Sequence, residues 1–331
     1  MPRKLKFGLL LPHFCEHASI EQCLVGAQRA EAYGFDSLWV RDHLVFEPHG
    51  IEGTNNTHID GLLTLAAIAA ATKTIALGTS MTICHRHPIH LAQAFAALSQ
   101  ISRGRMIMGI GLGGFPHEFA AAGYPTGIAE RAELVRVNVE ICRRLWAGER
   151  VTFKNDYFEF SDVALRPTPL QPIPIWCGGG TPAACRRAVE YSDGWMPART
   201  TLATFEKLVG YIRELCENAG KPMLSVAVMP FTSVAANRAE ALAPVNIAAL
   251  IAEANKFPTW VKPSGGIFST LDDIRGFILA GTPVDIAREA RAYEKAGADV
   301  IVFDLRFRYA EWLEQIELLG KEVLPALENF N

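Results

Sequence analysis

One unit returns eight times along this chain: a short, nearly unbroken apolar run, then a longer stretch with helical spacing. Strands that are apolar throughout, instead of alternating, belong in a parallel sheet buried on both faces. The runs are Lys6–Pro12, Ser37–His43, Thr74–Thr82, Met106–Gly114, Pro174–Gly179, Gly194–Ala198, Leu224–Ala235 and Asp299–Leu305. Helical spacing follows over Ile20–Tyr33, Gly61–Thr72, Pro88–Ile101, Ala129–Ala147, Pro182–Tyr191, Leu202–Ala219, Ala239–Ala254 and Tyr309–Leu327. Eight such units predict an α/β fold, a (β/α)8 TIM barrel. "AYGFDSLWV" (32–40) and "KAGADVIVF" (295–303) share a helix end, a Gly, an Asp and an apolar strand, and "YSDGWMP" (191–197) is a looser copy. The Gly of each reads as a helix C-cap.

Two segments exceed the bare barrel. Arg150–Pro174 holds β-like pieces (VTF, YFEF) and several prolines, which predicts a hairpin after the fourth helix. Lys256–Thr270, KFPTWVKPSGGIFST, predicts a loop before the eighth strand that covers one end of the barrel. With no dividing linker, residues 1–331 are expected to form one domain, with insertions near 150–174 and 255–275. Half the residues are hydrophobic and the net charge is -3. That balance gives no case for nucleic acid or an anionic membrane surface as partner. Gly61–Ala71 is too short to span a bilayer, and the N-terminal apolar run reads as a first strand instead of a signal peptide. Seven scattered cysteines without a C-x-x-C pair predict reduced thiols and a cytoplasmic location.

In this fold the active site lies at the C-terminal strand ends, so the residues delivered there are the candidates. The first strand ends at His13. The second, "SLWVRDHLVF" (37–46), breaks an apolar run with Arg41, Asp42 and His43. The third leads to Ser80, Met81, His85, Arg86 and His87; the fourth to Gly111–Gly114, His117 and Glu118; the fifth to Gly178–Gly180; the sixth to Arg199; the eighth to Arg306 and Arg308. An imidazole beside a carboxylate suits proton transfer near neutral pH, although the bland alternative is an exposed pair capping a strand. "CGGGTP" (177–182) runs glycines into a helix start, where free N–H groups hold phosphate; three glycines also make a plain turn. "GIGLGG" (109–114) lies in or at the end of a barrel strand, with no acidic partner at dinucleotide spacing, so it is not a Rossmann fingerprint. His13, His85 and His87 raise a metal-dependent barrel hydrolase as an alternative, but H-x-H before Pro88 is a weak ligand pattern, and no metal is expected.

The stretches "EAYGFDSLWVRDH" (31–43), "TKTIALGTSMT" (72–82), "HPIHLAQAFAALSQISRGRMIMGIGLGG" (87–114), "RAELVRVNVEICRRLWAGERVTF" (131–153) and "PIPIWCGGGTPAACRRAVEYSDGW" (172–195) resemble the bacterial luciferase-like superfamily of flavin- and deazaflavin-dependent barrel oxidoreductases. The resemblance runs from Lys6 to Leu327. It implies a cofactor ring at the barrel mouth and hydride transfer between coenzyme F420 and a small organic substrate. A second strand ending in Asp-His is typical of the F420 branch, and Glu-His of many monooxygenases that use reduced FMN, so Asp42-His43 favours F420. FMN is the alternative cofactor and would call for a flavin reductase. His43 then acts at the substrate or the ring edge, as proton donor or by stabilising developing charge, and Asp42 bonds near the ring or orients a neighbour. Ser80–Met81 matches the family's cis peptide behind the ring, Gly111 its fourth-strand glycines, and Gly178, Gly179 and Gly180 its cofactor-phosphate loop.

One departure stands out. Where the deazaflavin sugar-phosphate dehydrogenases carry a glutamate after the fourth-strand glycines, this chain has Gly114. His13, His117 and Glu118 are left as candidate substrate contacts. Phe14, Phe46, Phe115, Trp260 and Phe268 predict an aromatic mouth suited to a neutral or hydrophobic substrate. A homo-oligomer, with a dimer packed through early helices as the simplest case, is implied by the resemblance. A non-catalytic flavin-binding protein is the remaining alternative.

Overall fold

The computed structural model describes residues 5–329. Its centre is a closed ring of eight parallel strands: β1 (Lys6–Leu10), β2 (Ser37–Val40), β3 (Ala76–Thr79), β4 (Met106–Gly111), β5 (Ile175–Gly178), β6 (Gly194–Met196), β7 (Ser225–Val228) and β8 (Val300–Phe303). Each strand pairs with the next, and Lys6 of β1 lies in register with Val300 of β8, which closes the TIM barrel. All residues of β2 and β8 are buried, as strands covered on both faces require.

The repeated Asp has a structural reason. Asp36 accepts the Phe7 N–H of β1, Asp193 the Ile175 N–H of β5 and Asp299 the Val226 N–H of β7, each at 2.8 Å. The residue before one strand thus satisfies an otherwise unpaired donor at the start of its neighbour. Gly34 and Gly297 take the left-handed conformation of helix C-caps (φ +82° and +101°). Gly194 departs from that expectation: it lies in β6, and a Cβ there would meet the Trp176 ring at 2.5 Å.

Several segments differ from the sequence reading. The third run divides at a cis Ser80–Met81 peptide into β3 and a short piece, Thr82–Ile83, that pairs with β4. The seventh run also divides: Phe231–Val234 leaves the barrel after β7 and pairs in parallel with Ile278–Gly281, a strand the sequence reading does not name. The expected helix Ala239–Ala254 is two helices, Arg238–Leu242 and Ile247–Asn255. They pack with Phe231, Trp260, Phe268 and Phe277 in a second core beside the barrel. The helix that joins the main core before β8 is Pro283–Lys295, opened by a Thr282–Asp285 capping box. The last helical stretch is a 3-10 segment, Arg306–Glu311, then α-helix broken by a π-turn at Leu319–Val323. After the fourth helix, Val151–Lys154 and Glu159–Val163 form the expected antiparallel hairpin.

Candidate active site

The chain beyond Val40 has left the sheet, and its next three residues divide their tasks. Asp42 is buried and accepts from the Ile83 N–H (2.9 Å) and from Arg86 Nε (3.2 Å) and Nη2 (2.5 Å). Burial alone would raise its pKa, but the Arg86 bonds and charge and the Ile83 N–H outweigh that and hold it below the usual carboxylate range. Asp42 therefore ties the end of β2 to the segment just past the cis bond.

His43 sits against Glu118. Its Nδ1 lies 3.3 Å from both carboxylate oxygens of Glu118, and Arg41 Nη2 lies 3.1 Å from its Nε2. Glu118 is fully buried and also accepts the N–H groups of Leu44 (2.8 Å) and Val45 (3.1 Å). Those donors and His43 overcome the cost of burial and keep its pKa low. Burial lowers the His43 pKa, and the Arg41 charge adds to this against the pull of Glu118. The ring is thus neutral at pH 7, with Nδ1–H donated to Glu118 and Nε2 free of a proton and able to accept one.

His13 and His117 stand elsewhere. His13 has no exposed surface; its Nδ1 donates to the Ile59 carbonyl (2.8 Å) and its Nε2 accepts the Arg41 N–H (2.9 Å). Burial first, then the nearby His58, drives its pKa down to about 3. His117 bonds the Val45 carbonyl at 2.9 Å from the outer side of the loop. His13, His117 and Glu118, expected as substrate contacts, line neither of the two cavities described next and instead fix the backbone around His43. His85 is buried edge-on to Phe119, and His87 caps the helix Pro88–Ser102 by accepting from the Ile89 N–H. Among the described residues no group of His, Cys, Asp or Glu has the arrangement of a metal site.

A cavity of about 400 Å³ opens at the strand ends, lined by Asp42, His43, Ser80, Met81, Gly111, Gly178, Gly179, Arg187, Met196 and Arg199 among others. It therefore gathers seven of the expected site residues, and Gly180 lines its neighbour. Glycine shapes one wall: a Cβ on Gly178 would meet Met81 Cγ at 2.6 Å, and Gly179 is at φ +114°, where other residues are strained. Gly179 leads into the helix Pro182–Tyr191, capped by Thr181, with Arg187 one turn inside it. This combination of a bare backbone wall, a helix start and an arginine fits a flat ring ending in a phosphate-bearing tail.

A second cavity of about 340 Å³ adjoins the first and shares His49, Gly179, Thr181, Ala198 and Arg199 with it. Phe231, Phe257, Trp260 and Phe277 form its wall, with Glu52 and Arg306 at its base. Of the aromatics expected at the mouth, Phe115 lines the first of these two cavities and Trp260 the second; Phe14, Phe46 and Phe268 line neither and are buried. His49, Glu52, Phe231 and Phe277 escaped the sequence reading because they sit in polar loops or in the unnamed strand pair. Arg41, Glu52, Arg306, Asp304 and Arg199 form a buried charged row beneath this cavity.

Comparison with known proteins follows the same line. The profile of the luciferase-like monooxygenase family matches residues 6–300. An F420-dependent glucose-6-phosphate dehydrogenase of Amycolatopsis mediterranei is 35% identical over 206 residues, covering 60% of each chain. An F420-dependent hydroxymycolic acid dehydrogenase of Mycobacterium tuberculosis is 33% identical over 197 residues, 59% of this chain and 53% of the relative. The aligned region thus spans little more than half of these curated relatives. The fold is shared with an F420-dependent secondary alcohol dehydrogenase solved with an F420-acetone adduct (TM-score 0.80, 24% identity, 98% of this chain and 99% of that one).

Proposed function

Because the chain belongs to the luciferase-like monooxygenase family, we propose that it is an oxidoreductase that moves a hydride between coenzyme F420 and a small organic substrate. The observation that carries this reading is His43: it lines the glycine-walled cavity, and its tautomer is set by the buried Glu118. The F420-dependent relatives named above support the cofactor, as does Asp42-His43 at the end of β2. Residues 178–181 and Arg187 would hold the phosphate tail, and Met81, Met196 and Gly111 the ring. When bound, F420 supplies two-electron hydride chemistry.

The chain's own part is proton management and water exclusion. In the oxidative direction the hydroxyl proton of an alcohol passes to His43 Nε2 while the adjacent carbon gives up its hydride. In the reductive direction the imidazolium returns that proton to the developing alkoxide. Glu118 stabilises the imidazolium through Nδ1–H. Gly114, at the position of the acid-base glutamate in the sugar-phosphate dehydrogenases, argues for a substrate other than a sugar phosphate. The same reading takes residues 1–331 as one domain of a cytoplasmic homodimer, which sedimentation would check.

The test is an anaerobic assay of F420 absorbance with a panel of secondary alcohols, and of reduced F420 with carbonyls, enones and imines. Bleaching or recovery of the violet band with at least one substrate is expected. Turnover only with reduced FMN, accompanied by oxygen consumption, would replace the reading with a monooxygenase. Binding without turnover of either cofactor would leave a flavin-binding protein.

A further inference from the structure

The charges under the second cavity do not balance. Three guanidiniums, Arg41, Arg199 and Arg306, face two carboxylates, Glu52 and Asp304. Glu253 also lines this cavity, and its carboxylate is bonded at 2.7 Å by the exposed Lys256 outside it. Arg41 and Arg306 are both bonded to Glu52 Oε1. Arg306 also takes both oxygens of Asp304 with its Nε, at 2.9 and 3.0 Å. Arg199 is the one left over. Its Nη1 stands 3.5 Å from an Asp304 oxygen already engaged by Arg306, and its side chain makes no hydrogen bond among the described residues. It lies over the Phe231 ring at 4.4 Å and lines both cavities. Burial first, and then the charges of Arg306 and Arg41, bring its pKa down to about 10 against the pull of Asp304 and Glu52. A buried cation without a full partner is costly, and a ligand carboxylate would remove that cost through charge-assisted hydrogen bonds.

We infer that the second cavity takes the carboxylate of a substrate with an apolar or aromatic body, and that Arg199 is its anchor. The body lies against Phe231, Trp260 and Phe277, which are buried and held edge-to-face on one another at 5.3 Å. The excess is one positive charge, so a monoanion fits. A phosphate dianion would set its second charge against Glu52. Because Arg199 and Gly179 are common to both cavities, the anchored molecule would reach the His43 cavity. The assignment rests on the redox reading for its meaning as a substrate site, but the binding step is measurable by itself.

The probes are phenylacetate, its neutral isostere phenylacetamide, and phenyl phosphate, titrated by calorimetry into the full-length protein with and without F420. Phenylacetate is expected to bind at least about tenfold more tightly than the other two, the ordinary worth of a buried charge-assisted pair. Arg199→Gln should bring phenylacetate to the amide's level, while Arg199→Lys keeps a several-fold preference. Equal affinities in the unaltered protein, tighter phosphate binding, or a preference untouched by Arg199→Gln would overturn the inference. So would loss of phenylacetate binding when F420 is present, which would give Arg199 to the cofactor. F420 affinity, read by fluorescence on the same samples, separates the failures: binding of F420 without carboxylate preference defeats only this site, and the converse defeats only the redox reading.

Discussion

At the β2 end of the rim, Asp42, Glu118 and His13 each have partners within the chain: Arg86 and a backbone N–H, His43 and two backbone N–H groups, a carbonyl and a backbone N–H. At the β6–β8 end, Arg199 and Arg306 share Asp304, Arg306 also reaches across to Glu52 of the β2 loop, and Arg199 lacks a hydrogen-bonded partner among the described residues. Both ends are polar, and most of their groups are buried, with Arg199 partly open to its cavity. Satisfaction distinguishes them. The β2 end has its geometry fixed before anything binds, as a proton-transfer group needs. The β6–β8 end is completed only by a ligand.

The largest effect expected from this contrast is on turnover. His43→Ala should keep F420 affinity within a few-fold but lower turnover at least about a hundredfold, as loss of a proton-transfer group does. Steady-state rates beside a fluorescence titration check it, and unchanged turnover would remove His43 from the chemistry.

The second expectation concerns acid. Burial holds His13 and His58 at about 3 and about 4, against 6.5 in the open chain. Below pH 6.5 the unfolded chain therefore binds protons that the folded chain refuses. Stability rises with pH across that window and is lost as the pH falls, by on the order of 1.4 kcal/mol per pH unit for each such histidine. The depressed carboxylates Asp42 and Glu118 begin to lose their contribution only below the ordinary Glu value of 4.5. Urea midpoints at pH 7.5, 6 and 5 should fall steadily, and His58→Asn should flatten the fall. A flat series would show that these rings are not excluded from water.

Two isosteric changes then compare the ends directly. Glu118→Gln leaves buried donors without their charged acceptor and should cost roughly 1–3 kcal/mol in urea unfolding. Arg199→Gln removes surplus charge and should leave stability unchanged or slightly higher. Equal destabilisation by the two would erase the distinction between a finished site and an open one.

The barrel was legible because parallel strands buried on both faces must be apolar throughout, and eight such runs leave few architectures. Asp42 and His43 stood out because charge at the end of "SLWV" (37–40) has no place in a core. Glu118 was visible as a residue, but its task was not, since it acts from 75 positions away in the sequence. His13 misled for the converse reason: an imidazole at a strand end looks the same whether it meets substrate or backbone. The second core was hidden because "FILAG" (277–281) follows a Pro- and Gly-rich loop and pairs with Phe231–Val234 outside the barrel. Without that pairing, neither Phe231 nor Phe277 could be placed beside Arg199.

Central to all of this is a cofactor ring resting on the glycine wall beside His43. Titration of the purified protein with F420 and with FMN, each oxidised and reduced, followed by fluorescence, measures that most directly. Saturable binding of F420, much tighter than FMN and weakened by Gly179→Ala, is the expected result. No binding of F420 under any redox state, or tighter binding of FMN, would contradict it.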